Sequence, residues 1–212
     1  MPATDFDILP AEDRAGRQII RPTIHHFGIA TTQPEKMIAW YRDVLGLEVV
    51  ARCSTPLPSM AFVTSDEHHH RGGFFSPPQL KDNPDRLDYS RVQHLAWEYD
   101  DIDQLLESWD RIRELGIEPV ACWCHNGASF AFYYKDPDNN TVELTAQAHE
   151  SLRDGLARVR DPEWATNPNG QAVDPRKLVE ARASGVSLDE LRERSVAREY
   201  EPDVAPPPLA TW

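Results

Sequence analysis

The same short pattern occurs twice in this chain, and a duplicated half constrains the fold more than any single motif does. The first copy reads Ile24-His25-His26-Phe27-Gly28-Ile29, then a helical stretch, then Leu45-Gly46-Leu47-Glu48. The second reads Val92-Gln93-His94-Leu95-Ala96-Trp97, a helical stretch, then Leu115-Gly116-Ile117-Glu118. The histidines lie 68 positions apart (94 − 26) and the Leu-Gly steps 70 apart (115 − 45), so the second copy carries a two-residue insertion. Each copy has the order β-α-β-β-β, and such a half cannot bury its sheet face alone. The two halves must share a core.

Boundaries follow from turn and period signals. Residues 1–21 are charged and irregular and read as an arm. The first module spans 22–78. It has a strand over 23–31, then a helix opened by Pro34, striped by Met37, Tyr41, Val44 and Leu45 and ended at Gly46. Extended segments follow over 47–53, 59–65 and 70–76. A polar connector, 79–91, leads to the second module, 92–147, with a strand over 92–99, a helix over 102–115 and strands over 117–123, 128–135 and 141–146. Residues 148–212 form an extension of different composition. Asp174-Pro175 opens a helix that stops at Gly185, and Ser187-Leu188-Asp189-Glu190 is a capping box opening another. The tail over 199–212 is proline-rich and reads as extended.

Alternation along strands assigns faces. His26, Gly28 and Ala30 share one face of the first strand while Phe27 and Ile29 take the other. His94 and Ala96 oppose Leu95 and Trp97. In the last strand, Thr141, Glu143 and Thr145 oppose Val142 and Leu144. The bulky residues suit a core, whereas the histidines and the glutamate have small neighbours that leave room for a ligand. One strand histidine alone is ordinary. Two at matched points of a repeat, joined by a carboxylate, point to metal ligation by His26, His94 and Glu143, the facial two-histidine, one-carboxylate set of non-haem Fe(II) sites. His25 falls on the opposite face and is the poorer candidate.

The turn Asp136-Pro137-Asp138-Asn139-Asn140 adds a second constraint. If Lys135 and Thr141 close this hairpin, Tyr133 lies opposite Glu143, and a one-residue slip would turn Tyr134 inward instead. Two further histidine-bearing segments, Asp66-Glu67-His68-His69-His70-Arg71 and the His125 loop, need no explanation as solvated loops. They gain interest only beside a site that moves protons.

Charge and composition narrow the partners. With a net charge of −13 the chain does not suit a phosphate backbone, so no nucleic acid partner is expected. No apolar run approaches the ~20 residues of a membrane span, and the N-terminus lacks the basic-then-apolar order of a signal peptide. Three cysteines without metal-type spacing read as reduced thiols in a cytoplasmic protein.

Taken together these residues resemble the vicinal oxygen chelate (glyoxalase/bleomycin resistance/dioxygenase) superfamily over about residues 22–147. "HHFGIATTQPEKMIAWYRDVLGLEVV" is similar to its opening module, "VQHLAWEYDDIDQLLESWDRIRELGI" to the partner module and "FAFYYKDPDNNTVEL" to its closing hairpin. The resemblance implies an α+β fold in which two β-α-β-β-β modules form one open, U-shaped sheet around a metal site, with a C-terminal helical tail. Within the superfamily the chain resembles the type I extradiol catechol dioxygenases, in a small form with a single module pair. "SDEHHHRGGFF" is similar to their histidine pair after a polar turn, with His70 the best match for the acid–base residue and His69 its alternative. Tyr133 stands ten residues before Glu143, as in those enzymes, and His125 falls within a residue of a further expected histidine.

The resemblance implies Fe(II), a small-molecule catechol and O2 as reactants, and a yellow muconic semialdehyde-type product of aromatic catabolism. His70 would exchange protons with substrate, while Tyr133 and His125 would hydrogen-bond it. Phe62, Phe74, Phe75 and Trp123 are candidates for an aromatic pocket. Exposed sheet edges and the long tail favour a homo-oligomer. Glyoxalases and epimerases usually draw a fourth ligand from the last strand of the first module, where this chain has His-Arg-Gly-Gly-Phe-Phe. Two alternatives stand: an Mn(II)-dependent transferase or hydrolase of the fosfomycin-resistance type, and a non-enzymatic binding module of the same fold.

Overall fold

Helix α1 (Pro34–Leu45) begins at the proline that pre-sets its first turn and ends at Gly46, whose left-handed backbone returns its N–H to the Arg42 carbonyl. Its buried residues, Met37, Ile38, Tyr41 and Val44, recur at helical spacing. The computed structural model describes residues 12–53 and 59–207, apart from the Arg86 side chain. The arm's first eleven residues and the tail's last five therefore lie outside the description. Strand β1 (Phe27–Ala30) precedes α1, and β2 (Glu48–Cys53), β3 (Ser59–Thr64) and β4 (Gly72–Ser76) follow it.

The second copy repeats this plan. Strand β5 (His94–Glu98) leads to α2 (Ile102–Glu114), capped by the Asp101 carboxylate on the Gln104 N–H, and then to β6 (Ala121–Cys124), β7 (Ser129–Lys135) and β8 (Thr141–Gln147). The architecture is α+β, as expected, with the open sheet carried by two hydrogen-bonded mixed sheets ordered β1-β4-β3-β2 and β5-β8-β7-β6-β9. In each sheet the module's first strand runs parallel to its last and the remaining pairs are antiparallel. Several strands are shorter than the pattern predicts, β1, β5 and β6 by the most. β1 starts at Phe27, so His26 stands just before it, and β6 starts at Ala121, because Pro119 has no N–H for the ladder.

The extension holds more structure than its sequence announces. Helices α4 (Pro175–Ala183) and α5 (Leu188–Val196) stand where the caps predict them, with Asp174 and Ser187 each accepting a backbone N–H of the first turn. Helix α3 (Leu152–Arg160) and the two-residue strand β9 (Gln171–Ala172), which adds itself to β6, are not legible in the pattern. Gly155 lies within α3, and that glycine is the helix's one buried residue. Leu178, Leu191 and Tyr200 belong to the same hydrophobic cluster as Met37, Leu105 and Leu144, so the extension completes the shared core. The tail lies over the body through 207: the buried Tyr200 passes its carbonyl to the Asp174 N–H at 2.7 Å. Among the described residues no helix is long and apolar enough to cross a membrane.

The modules are tied at the β7–β8 turn. Tyr41 of α1 donates to Asp136 (3.2 Å), and Gln33 donates to the Pro137 carbonyl (2.6 Å) and the Asp138 carboxylate (2.9 Å). Asp136, 4% exposed, also accepts the N–H groups of Asp138 and Asn140 and the Asn140 side chain. Asp136→Ala strips four donors of their buried acceptor and is expected to cost roughly 2–3 kcal/mol, against about 1 kcal/mol for Tyr41→Phe, in urea unfolding.

Candidate active site

The predicted faces are present in both first strands. Gly28 and Ala30 of β1 are exposed while Phe27 and Ile29 pack inward, and His94, Ala96 and Glu98 of β5 are exposed while Leu95 and Trp97 pack inward. Strand β8 lies parallel to β5 with Glu143 beside Ala96, one small residue along from His94 on the same face. The Glu143 carboxylate, 8% exposed, meets His94 Nε2 at 2.9 Å. That hydrogen bond raises the pKa of His94 above the ordinary imidazole value, against a smaller opposing effect of burial.

Across the hairpin, Lys135 pairs with Thr141 and Tyr133 with Glu143, the register the turn length predicts. Tyr134 takes the other face and is fully buried in the core. The Tyr133 hydroxyl reaches both the Glu143 carboxylate and His125 Nε2, the latter at 2.9 Å. Burial first, then the neighbouring carboxylate, pushes the phenol's pKa up, so it stays protonated. Burial depresses the pKa of His125, whose Nδ1 lies 3.1 Å from the Asn169 carbonyl. A carbonyl can only accept, so Nδ1 carries the proton of a neutral ring, and Nε2 and the Glu143 carboxylate are alternative acceptors for the single Tyr133 phenol proton. His94, Glu143, Tyr133 and His125 therefore form one continuous polar chain.

The His125 loop is held by the extension, which sequence reasoning did not connect to the site. Trp164 Nε1 donates to the His125 carbonyl (3.0 Å) and Arg158 to the Asn126 carbonyl (2.8 Å). Gly170 has φ +73°, and a Cβ there would sit 1.9 Å from the Cys124 carbonyl oxygen. The turn Asn167-Pro168-Asn169-Gly170 is readable as a turn, but nothing local names its partner.

The first module brings a different group together. Among the described residues, the three whose potential ligand atoms all lie within 4.8 Å of one another are His25, His26 and His70, not His26, His94 and Glu143. His26 and His70 rings are 4.4 Å apart, and His25 Nδ1 lies 2.9 Å from His26 Nδ1. His25, which alternation ranked below its neighbour, thus joins the cluster, because residues 25 and 26 precede β1 and are not bound by its alternation. Burial, then His69, His26 and His25, lowers the pKa of His70. His26 still faces the second module: it and His94 line a common cavity of about 560 Å³. Of the aromatic candidates, Phe62 packs on His70 (5.0 Å) and Phe75 on Phe62 (6.1 Å), and Trp123 packs beside Tyr133. Phe74 is fully buried against Phe27 and Tyr41 and is core. Gly73 leaves the space that the Phe75 ring occupies, since a Cβ there would meet that ring at 3.0 Å.

The sequence profile of the Glyoxalase/Bleomycin resistance protein/Dioxygenase superfamily matches residues 23–144. Biphenyl-2,3-diol 1,2-dioxygenase 3 of Rhodococcus globerulus is 33% identical over 183 residues, covering 86% of this chain and 93% of its own. Biphenyl-2,3-diol 1,2-dioxygenase 2 of the same organism is 30% identical over 189 residues, covering 89% of this chain and 96% of its own. A crystal structure of a glyoxylase/bleomycin resistance protein/dioxygenase domain from Frankia sp. EAN1pec superposes with a TM-score of 0.52 at 13% identity, over 60% of this chain and 93% of that one, a likeness of fold.

Gly170→Ala is expected to cost about 3 kcal/mol or more, since it combines a left-handed backbone with a backbone collision. Thermal unfolding measures that loss, and the lower stability should come with a displaced His125 ring, seen as a changed imidazole NMR signal.

Proposed function

The chain belongs to the Glyoxalase/Bleomycin resistance protein/Dioxygenase superfamily, and within it we propose that it cleaves a catechol-type aromatic diol in the extradiol manner with O2. The observation that carries the reading is the placement of Tyr133 on Glu143 with a neutral His125 behind it, beside His94. Neither a bare metal clip nor a plain binding groove requires that chain. Two R. globerulus relatives named as diol dioxygenases, matched over nearly their whole length, support the same reading.

The donor set suits Fe(II). Glu143 and His94 already meet at 2.9 Å, His26 shares a cavity with His94, and two imidazoles with one carboxylate are the donors of non-haem iron oxygenases. His26, His94 and Glu143 would hold the ion, with His26 turned toward His94 and away from His25 and His70. Iron bound there supplies a Lewis acid that favours an ionised catechol and a redox partner for O2.

The chain's own residues supply the rest. Phe62 and Phe75 offer ring faces against which an aromatic diol can lie. His70, next to Phe62, is the group that takes a proton from the diol and returns it later. Tyr133, held protonated, donates to an oxygen that gains charge during the reaction, and His125 is one of the two alternative acceptors of the same hydroxyl in the resting state. The Asn169 carbonyl keeps the His125 tautomer constant.

Metal-free protein reconstituted anaerobically with Fe(II) is expected to consume O2 in step with yellow product when a catechol panel is added in air. His94→Ala should abolish both signals. His70→Ala should keep its iron but lose about 10²–10⁴-fold in turnover. Tyr133→Phe should lose about 10²–10³-fold in kcat. Bound iron without O2 uptake on any catechol would sink the proposal and favour Mn(II) chemistry on epoxide and thiol substrates.

A further inference from the structure

We propose that His25, His26 and His70 form a second, all-imidazole metal site that takes Zn(II), and that zinc held there blocks the iron set by removing His26 from it. The second half of this proposal rests on the dioxygenase reading; the site itself does not.

The loop that delivers His70 is clipped to the entry of β1. Arg71 donates to the Asp66 carboxylate (2.8 Å from Nε) and to the His25 carbonyl (3.1 Å), while Asp66 accepts the His68 N–H (3.0 Å). This clip turns His69 and His70 onto His25, with ring centroids 4.9 and 5.5 Å away. The His25 and His26 Nδ1 atoms lie 2.9 Å apart, and those of His69 and His70 2.6 Å apart. Two ring nitrogens that close must share a proton or a cation, because two lone pairs repel. The ring nitrogens of the three ligating residues lie within 4.8 Å of one another, near the spacing that one ion with Zn–N bonds of ~2.0–2.1 Å demands.

Donor chemistry selects the ion. The group has no carboxylate, and Asp66 is already engaged by Arg71 and His68. Three neutral imidazoles with an open fourth position are a zinc environment, and such nitrogen donors bind Zn(II) more tightly than Fe(II) in the general order of divalent affinities. Zn(II) has no redox chemistry. Since one imidazole cannot serve both ions, occupancy of the two sites is mutually exclusive, and zinc acts as an inhibitor competitive with iron.

The test is a zinc titration of the full-length, metal-free protein against a chromophoric chelator. Glu143→Gln disables the iron set but leaves the three imidazoles, and it is expected to bind one zinc with affinity within about threefold of wild type. Adding His25→Ala in the Glu143→Gln background should weaken zinc by about 100-fold or more. Cu(II) bound to the Glu143→Gln protein should show nitrogen superhyperfine structure, which gives a direct readout of imidazole donors. Loss of zinc binding in Glu143→Gln would overturn the proposal by placing the ion on Glu143, and an unchanged affinity on adding His25→Ala would overturn it by removing His25 from the site. The titration uses no catechol and no iron, so it decides the site whether or not ring cleavage is found. With iron-loaded wild type, added zinc should suppress O2 uptake, with relief by excess Fe(II); uptake indifferent to zinc would overturn the inhibitory role.

Discussion

The buried carboxylate of Asp136 is the interaction on which the rest depends. It closes the β7–β8 turn through the Asp138 and Asn140 N–H groups, and a turn closed in that way admits one register, Lys135 on Thr141 and Tyr133 on Glu143. One step of slip would send Glu143 and Tyr133 into the core and bring Val142 and Tyr134 out. The same carboxylate accepts the Tyr41 hydroxyl from α1 of the other module. A single group therefore sets both the internal register of one half and its attachment to the other. Its burial raises its own pKa, a penalty offset by four donors.

From that register the site follows with little freedom. Glu143 lies between His94 on the parallel neighbour and Tyr133 on the antiparallel one, so two strand pairings of opposite sense converge on one carboxylate. The far end of the chain is fixed from outside the duplicated core. Asn169, Trp164 and Arg158 come from the extension, and they hold the His125 loop by its carbonyls and its ring. The extension thus has a second role beside adding Leu178, Leu191 and Tyr200 to the core: it decides which nitrogen of His125 carries the proton.

What could be read in the sequence were the features that obey a period or a count. Alternation placed His94 and Glu143 on one open face, and the five-residue turn placed Tyr133 opposite Glu143, because each depends only on neighbours along the chain or across one hairpin. Pro34 and Gly46 bounded α1 for the same reason. What escaped depends on contacts distant in sequence or on backbone outside the period. His25 was ranked by an alternation that begins two residues later, at Phe27. Phe74 and Phe75 look alike in sequence, yet one is core and the other flanks the open face. The hold of Asn169 on His125 spans 44 positions and uses a backbone carbonyl, to which residue type gives no clue.

His26 is the residue at which the two halves of the molecule compete. Its position before β1 frees it from the strand, so its ring can answer either to the imidazoles of the first module or to the His94–Glu143 pair of the second. A duplicated fold builds its site at the seam, and each half contributes what its own loops carry. The first half's β3–β4 connection carries three consecutive histidines, with Asp66 engaged by Arg71 and His68, while the second half's last strand carries Glu143. The ring that both can reach is then drawn by whichever ion matches the donors around it: the mixed set suits an ion that must also accept O2, and the all-imidazole set suits one that only coordinates. On the two proposals together, the ion this protein holds would be decided by which partner His26 turns to.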